Sequence, residues 1–422
     1  MKDQREPSKI KQKYFSNGRF LKRYVAAPFF GASSELNKSN KQLEDLPDEV
    51  ILYVMNFLEL LDLIRCGLVS KRIRSVSFIE SLWQKIDISD PNHVFLNRQW
   101  KRKIVPTDLL KRIINRGCKS LSLTGCELTG NLDCSDFNLD SNYWFHQEEN
   151  KTKIQISSYA ATLKKVPKNA DCESSLTKMG TSKLICLDLT LCDIRCDLMN
   201  VLLTACHSLK KLSLRKAKIT PKMFQIICNQ NGQTLETLDL TFANGITGYP
   251  EINNEFLPSI KNCVRLKEVD FSGCALSDNC MELLVNNLSP NVEKLGLGYI
   301  EDIEDKHIAA LVSRCDKITS LNLALNHMLT DISLTSIRKN LKLTLEELDM
   351  GDCRRITHTK LLEMRSMPKL KAVNYYLMPW EEFKELKKTL PQLTDIDPWS
   401  NYWWNLAKMN ARFYHNSKTL NA

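Results

Sequence analysis

Apolar positions recur in a fixed pattern along the second half of the chain. An apolar residue is followed three and then five residues later by further apolar residues, and this triplet occurs eight times, at spacings of 25, 26, 31, 26, 26, 27 and 25 residues. Its first members are Leu184, Leu209, Leu235, Leu266, Val292, Ile318, Leu345 and Leu370. The second and third members lie two residues apart, so they face the same side of a short strand, and the residue between them faces the opposite side.

Each triplet is followed by a bend and an amphipathic segment. A small residue comes after the strand, as at Cys192, Ala217, Cys274, Asn326 and Cys353. Apolar residues then recur at helical spacing, for example over residues 223–227, 281–288 and 308–312. A strand and a helix in every repeat of about 26 residues predict an α/β fold, a leucine-rich-repeat solenoid with a parallel sheet on its concave face and helices outside.

Residues 43–88 break this pattern and predict three short helices. Pro47, Asp48 and Glu49 suit a first helical turn, because that turn tolerates a missing donor and favours acidic side chains. A segment of fewer than about 50 residues lacks a sufficient core, so part of its apolar surface is expected to lie against another chain or the solenoid. The segment is therefore interpreted as a docking module, with a cap on the solenoid as the alternative; the two roles are compatible.

Charge is concentrated at the start of the chain. The net charge is +10, and residues 1–42 hold ten Lys or Arg against three Asp or Glu. We expect this basic tail to be disordered, serving as a linker, an import signal or a docking arm. The repeats lack a basic stripe with interleaved aromatic residues, so nucleic acid is not an expected partner. No membrane span or signal-peptide core is recognised, which favours the nucleus and cytoplasm.

The fifteen cysteines predict buried structural thiols rather than a metal site. Their number is odd and no C-x-x-C pair occurs. The tightest cluster is spread over a strand, a bend and a helix: Cys186, Cys192, Cys196, Cys206 and His207. Phosphate-binding loops, nucleophile elbows and zinc-protease motifs are not found. We therefore expect no metal and no cofactor, and no catalytic motif is recognised.

The helical segment resembles an F-box. Leu46-Pro47-Asp48-Glu49 is followed by Val69-Ser70-Lys71-Arg72 and a closing Leu82-Trp83, with Ser70 and Ile73 where that family usually has cysteine and tryptophan. The resemblance implies binding to a Skp-type adaptor and through it to a cullin-RING ligase. The implied adaptor contacts are Leu46, Pro47, Ile51, Leu58, Leu63, Val69 and Trp83.

The order of segments resembles F-box proteins with C-terminal leucine-rich repeats, the substrate receptors of Skp-cullin-F-box ubiquitin ligases. The predicted segments are a basic tail (1–42), the F-box (43–88), divergent early repeats with a polar insertion (89–183), regular repeats (184–397) and an aromatic tail (398–422). The resemblance implies a receptor subunit that is not itself an enzyme and has no catalytic residue. It also implies a protein substrate, such as a phosphorylated cell-cycle inhibitor, and leaves open a small accessory subunit. The alternative is a repeat scaffold or inhibitor that works without a ligase.

The residues between the paired apolar positions indicate what the concave face binds. Four of these eight residues are Asp. An acidic lining attracts basic peptides, but Asp at this position also simply keeps the sheet solvated. Basic residues that could bind a phosphate are fewer. The substrate-binding candidates are Asp188, Lys211, Arg215, Asp239, Asp270, Lys294, Asn322 and Asp349.

Three irregular segments complete the sequence reading. Ile154 and Ile156 mark a strand candidate within the polar insertion. The interval of 31 residues predicts a longer loop around residues 247–254. The aromatic residues of 398–422 are expected either to cap the last repeat or to reach the concave face.

Overall fold

The computed structural model describes residues 43–89, 102–132, 182–243 and 257–374, together with Lys384 and Lys388. Two compact units are distinguished, Met1–Tyr53 and Val54–Ala422. In the first unit, a 3-10 helix, Leu43–Asp45, precedes helix α1, Asp48–Met55, which continues into the second unit. The first turn of α1 closes on Pro47, whose carbonyl oxygen accepts from the N–H groups of residues 50 and 51 at 3.0 and 3.1 Å.

The second unit continues the helical segment. Helices α2, Leu60–Cys66, and α3, Lys71–Ser77, are followed by a 3-10 helix, Glu80–Trp83. Buried apolar side chains, Leu63, Ile73, Val76 and Trp83, come from all of these elements. The prediction of three short helices in residues 43–88 is confirmed.

The repeats begin immediately after these helices. The strands are β1 Lys85–Asp87, β2 Ile104–Pro106, β3 Ser120–Ser122, β4 Glu127–Thr129, β5 Cys186–Asp188, β6 Lys211–Ser213, β7 Thr237–Asp239, β8 Glu268–Asp270, β9 Lys294–Gly296, β10 Ser320–Asn322, β11 Glu347–Asp349 and β12 Ala372–Asn374. The helices are α4 Thr107–Asn115, α5 Cys196–Thr204, α6 Pro221–Asn231, α7 Asp278–Asn287, α8 Asp305–Arg314, α9 Asp331–Leu341 and α10 His358–Leu362. Two further 3-10 helices are Leu257–Asn262 and Glu363–Ser366.

One parallel sheet runs through the described repeats. Its order is β1-β3-β5-β6-β7-β8-β9-β10-β11-β12, and β2 pairs separately with β4. The register is constant, because the central apolar residue of each strand pairs with that of the next, as in Leu212↔Leu238 and Leu321↔Leu348. The predicted α/β leucine-rich-repeat solenoid is confirmed, and all eight predicted strands are present as β5 to β12.

The start of the sheet corrects one expectation. Residues 85–87 were assigned to the end of the helical segment, yet they form β1 and pair with β3. Both strands carry the same apolar triplet as the later repeats: Trp83, Ile86 and Ile88 in one case, Cys118, Leu121 and Leu123 in the other, all buried. The triplets were missed because irregular intervals separate them and because Trp and Cys replace the leading leucine.

Buried cysteines join consecutive repeats. The Sγ atoms of Cys192, Cys274 and Cys353 donate to carbonyl oxygens of the preceding repeat, at 2.8, 3.1 and 3.1 Å. Burial raises the pKa of the Cys353 thiol to about 12, so this thiol stays protonated and can donate. Asn326 makes equivalent bonds, because its Nδ2 donates to the carbonyls of residues 297 and 323. The predicted structural role of these small bend residues is confirmed.

Several expectations lie outside the described residues. They concern the basic tail, the strand candidate at Ile154 and Ile156, the loop at 247–254 and the aromatic tail. Within the described ranges, no group of three or more His, Cys, Asp or Glu side chains is placed to hold a metal ion. None of the helices described is long and apolar enough to cross a membrane.

Candidate functional site

The first unit presents apolar side chains to solvent. Pro47 is exposed and Leu46 partly so, while Val50 and Tyr53 on α1 are 42% and 66% exposed. Ile51, an implied adaptor contact, is fully buried at 0% exposure and is therefore corrected to a core position. The reason is helical geometry: Ile51 lies one turn before the buried Met55, on the inward side of α1.

The adaptor contacts predicted in the second unit also divide into exposed and buried residues. Val69 is 70% exposed and Leu58 partly exposed, and both stay predicted contacts. Leu63 and Trp83 are 3% and 2% exposed, so they are corrected to core positions. Trp83 supports the segment from inside, because its Nε1 donates to the Ser77 carbonyl oxygen at 2.9 Å. Leu63 and Trp83 would therefore support adaptor binding indirectly, by holding the helices in place.

Sequence reasoning missed several exposed apolar residues of the F-box segment. Among them, Phe57, Leu61 and Leu68 are 73%, 53% and 71% exposed. A signal was available in the adjacent apolar pairs at 60–61 and 68–69. Residues 60–61 lie on helix α2, where neighbours point in different directions, so both cannot enter one narrow core. Residues 68–69 lie in the turn after α2.

The two departures from the F-box pattern have structural roles. Ser70 is the N-cap of α3, and its side chain accepts a hydrogen bond from the Ile73 N–H at 3.2 Å. Ile73 itself is 1% exposed. Both residues therefore preserve helix α3, and neither substitution removes an exposed apolar group.

The outward face of the sheet consists of three rows of side chains that the register aligns. The first row holds the residue before each central apolar residue: Lys85, Ser120, Cys186, Lys211, Thr237, Glu268, Lys294, Ser320, Glu347 and Ala372. The second row holds the residue after it: Asp87, Ser122, Asp188, Ser213, Asp239, Asp270, Gly296, Asn322, Asp349 and Asn374. The third row follows two residues later: Thr124, Thr190, Arg215, Thr241, Ser272, Gly298, Ala324 and Gly351. All eight predicted substrate-binding residues lie in these rows.

The aspartates of the second row end their strands. The Oδ1 atom of Asp188, Asp239 and Asp270 accepts a hydrogen bond from the backbone N–H two residues later, at 2.9, 2.9 and 2.8 Å. Asp349 and Asn322 do the same at 3.0 Å. Such local bonds are the usual reason for Asp and Asn at turns. One oxygen of each side chain is thus occupied, which favours the structural alternative for the acidic lining.

An ion pair and a hydrogen bond link neighbouring side chains of the first row. The Lys294 Nζ lies 2.7 Å from Glu268 Oε1, and Ser320 Oγ donates to Glu347 Oε2 at 3.0 Å. Lys211 is partly exposed and Lys294 exposed. Both lysines can reach a bound peptide, and Lys294 would do so at the expense of its ion pair.

Arg215 and Asp239 form a buried charged pair on this face. Their side chains are 6% and 8% exposed, and Arg215 Nε lies 3.9 Å from Asp239 Oδ2. The Asp239 carboxylate is held elsewhere, because its Oδ1 accepts from Thr241 Oγ1 at 2.6 Å. The sequence placed both residues on the outward face but did not indicate that they are shielded from water.

Two carboxyl groups of the second row hold protons more tightly than usual. Burial raises the pKa of Asp349 to about 6, although hydrogen bonds from Gly351 and Asn374 act against the shift. Burial, followed by the negative charge of Asp239, also raises the pKa of Asp270. A cationic group approaching either carboxyl would lower the pKa of that carboxyl and increase its ionised fraction.

Comparison with known proteins gives matches to families and to solved structures. An F-box-like domain matches residues 43–89. A solved structure described as the crystal structure of the Rad7 and Elc1 complex in yeast is similar, with 16% sequence identity and a TM-score of 0.41, over 84% of this chain and 88% of that one.

An F-box followed by leucine-rich repeats defines the general class, a substrate receptor of Skp-cullin-F-box ubiquitin ligases, and the F-box implies binding to a Skp-type adaptor. Domains of both kinds are typically non-catalytic adaptor or receptor domains. The family described as the SKP2 LRR domain matches residues 155–399, more than half of the chain, and the chain belongs to it. The resemblance to F-box proteins with C-terminal leucine-rich repeats, and among them to the S-phase-kinase-associated F-box protein, is thereby confirmed.

Proposed function

We propose that this chain is the substrate-recognition subunit of a Skp-cullin-F-box ubiquitin ligase, with its F-box segment on the adaptor and the outward face of the repeats holding a segment of the substrate. The chain itself contributes no catalytic residue in this proposal. Transfer of ubiquitin belongs to a conjugating enzyme delivered by the cullin-RING part of the assembly.

The observation that carries the proposal is the exposed apolar surface of the F-box segment. Val69 and Leu68 are 70% and 71% exposed, and Phe57 is 73% exposed. Water contact with so many large apolar side chains in one short segment is unfavourable, and burial by a partner removes it. The outward face of the sheet is polar by contrast, as expected for a surface that binds and releases different peptides.

The finer parts of the proposal rest on the family. They are a cell-cycle substrate recognised in phosphorylated form, a small accessory subunit, and activity in the nucleus and cytoplasm. The basic residues of the outward face, Lys211, Arg215 and Lys294, are the groups available to a phosphate. A partner other than protein, whether nucleic acid or membrane, is not part of the proposal.

A ligase-independent scaffold is the second candidate, and one observation favours it. The segment leads directly into β1, which pairs with β3, and the Arg116 guanidinium lies 3.7 Å from the Phe78 ring centroid. Residues 78–87 thus also cover the first repeat, as a cap would. A cap and an adaptor site are compatible, so the two candidates differ only in whether an adaptor binds.

The test is co-purification of the full chain with a Skp-type adaptor. Two double variants remove apolar side chains from the F-box segment: Leu46→Ala with Pro47→Ala, and Leu68→Asp with Val69→Asp. The matched control places the same charge on the repeats, at Ile332 and Leu343, which are 62% and 65% exposed. We expect about tenfold or greater loss of complex for the F-box variants and none for the control. Absence of any complex with the folded wild-type chain would favour the scaffold.

A further inference from the structure

Arg215 differs from its neighbours in the third row. The adjacent members are small and uncharged: Thr190, Thr241, Ser272, Gly298 and Ala324. Arg215 is nevertheless 5% exposed, so a long cationic side chain is almost withdrawn from water within a row of small groups. Burial of a guanidinium is costly unless its N–H groups are bonded.

The guanidinium of Arg215 has donors without acceptors. Among the residues that the structure describes, neither Nε nor Nη1 has a hydrogen-bond partner, although both atoms are buried. A buried donor without a partner costs about 1–3 kcal/mol, and proteins retain few of them. The two donors therefore indicate an acceptor that the described residues do not supply.

Asp239 supplies charge but not the missing hydrogen bonds. Its Oδ1 accepts from the Thr241 N–H at 2.9 Å and from the Thr241 hydroxyl at 2.6 Å. Its Oδ2 is 3.4 Å from Ser213 Oγ and 3.9 Å from Arg215 Nε. With the carboxylate anchored in this way, Arg215 remains charged beside a counterion and keeps its donors for another group.

We propose that Arg215 is the centre of an anion subsite that accepts one acidic group, a side-chain carboxylate or a phosphate, from a protein segment bound on the outward face. The subsite rests on the proposed function in so far as that segment belongs to a ligase substrate. The hydroxyl groups of Thr190 and Ser213 lie 2.9 Å apart and add polar groups to the subsite. Ser213 belongs to β6, which Arg215 follows, and Thr190 follows the preceding strand, β5.

An anion fits these donors better than a neutral acceptor. Hydrogen bonds from a guanidinium to an anion are roughly twice as strong as neutral ones and are commonly bidentate. Lys216, the next residue, adds a second positive charge, and its ammonium lies 5.9 Å from the Phe242 ring centroid. The acidic side chains of Asp239 and Asp270 repel an anion. The subsite therefore favours an acidic group that bonds Arg215 directly over one that stays at a distance.

The subsite is tested with short degenerate peptide libraries that differ at one fixed central position, which is Glu, phosphoserine or Gln. Retention is measured on the immobilised full chain, for wild type, Arg215→Gln and Arg215→Lys. We expect wild type to retain an acidic library about tenfold better than the Gln library. Arg215→Gln should retain all libraries equally, and Arg215→Lys should fall between, because it keeps the charge and loses the planar fork.

The outcomes separate the sources of the anion. Preference for both acidic libraries means that a carboxylate suffices, and preference for phosphoserine alone means that phosphate is required. Equal retention of Gln by wild type, or unchanged preference in Arg215→Gln, overturns the subsite. Lys210→Gln is the matched control. Lys210 lies in the same repeat as Arg215 but precedes the first row of the outward face, and its Nζ lies 3.8 Å from Glu236 Oε1.

Two checks keep the result interpretable. Thermal unfolding confirms that each variant is folded; if Arg215→Gln is not, Arg215→Lys must lower the preference or the subsite is rejected. Adaptor co-purification is measured in parallel on the same preparations. An intact preference without adaptor binding would reject the ligase role and keep the subsite, whereas adaptor binding without preference would reject the subsite alone.

Discussion

The F-box segment and the repeats differ in how far their large apolar side chains are exposed to water. In the repeats, the central strand residues are nearly inaccessible, with Leu238 and Leu212 at 0% and 1% exposure. In the F-box segment, large side chains such as Leu68 and Phe57 are 71% and 73% exposed. The repeats bury their own core because each strand and helix lies on its neighbour. Among the described residues, the exposed side chains of the short helices have no such neighbour.

This difference separates two kinds of surface. An exposed apolar surface gains free energy whenever a partner covers it, which suits a constant partner such as an adaptor. The outward face of the repeats is polar, so binding there depends on a few charged or hydrogen-bonding groups. In the proposed function, the adaptor and the substrate therefore bind surfaces of different physical character.

The largest expected effect comes from truncating leucine in the two regions. Leu238→Ala, in β7, should lower the free energy of unfolding by about 2–5 kcal/mol, because it removes packed methyl groups and leaves a cavity. Leu68→Ala is the matched change and should alter it by no more than about 0.5 kcal/mol, since Leu68 already faces water. Urea unfolding of the isolated chain measures both. Equal losses would mean that Leu68 is packed and that the contrast between the regions is wrong.

A second prediction concerns the partly buried carboxyl of Asp349. Its pKa is raised to about 6 by burial, so the folded chain binds the proton more tightly than the unfolded chain. Asp349 therefore favours folding when protonated, at low pH, and this contribution is lost as the pH rises through 6. Asp349→Asn should raise the free energy of unfolding at pH 7 by on the order of 2 kcal/mol and bring no gain near pH 4.

The neighbouring strand supports this substitution. Asn322 holds the same register position in β10 and accepts from the Ala324 N–H at 3.0 Å, the bond that Asp349 makes with Gly351. Asp87→Asn, at the exposed edge of the second row, is the control and should change stability little. A gain for Asp349→Asn that is equal at both pH values would show that its carboxyl titrates normally.

The regular repeats could be predicted closely, and the reason is periodicity. A fixed spacing of apolar residues determines which side of each strand is buried, and the register then aligns all later strands. The same logic placed Asp188 to Asp349 on one face. It failed at β1 and β3, because Trp83 and Cys118 lead their triplets and no regular interval connects them to Leu184.

The sites could be predicted less well, because burial depends on neighbours that are distant in sequence. Ile51 and Val50 are adjacent apolar residues, yet one is buried and the other is 42% exposed. Arg215 is one of several basic residues near the sheet, and its sequence context does not distinguish it from Lys211. The structure shows Arg215 withdrawn from water, with two of its donors lacking an acceptor among the described residues.

The junction between the F-box segment and the repeats gives an intermediate effect. The Arg116 guanidinium lies 3.7 and 4.7 Å from the ring centroids of Phe78 and Trp83. Arg116→Ala should cost about 1–2 kcal/mol, because a partly buried cation over aromatic rings is stabilising. Hydrogen exchange should increase at the amides of Ile73 and Val76 in α3. Arg112→Ala, on the exposed side of α4, is the control, and faster exchange confined to the repeats would contradict the coupling.

The smallest expected effect is on the outward face itself. Lys294 and Glu268 are 46% and 27% exposed and lie 2.7 Å apart. Exposed ion pairs contribute little, because water and salt already screen the charges, so Lys294→Gln should change the free energy of unfolding by less than about 0.5 kcal/mol. Urea unfolding at low and high salt measures this. A loss above about 1 kcal/mol that persists at high salt would mean that the pair holds β8 and β9 together. A small loss would instead leave Lys294 free to exchange Glu268 for an acidic group on a bound peptide.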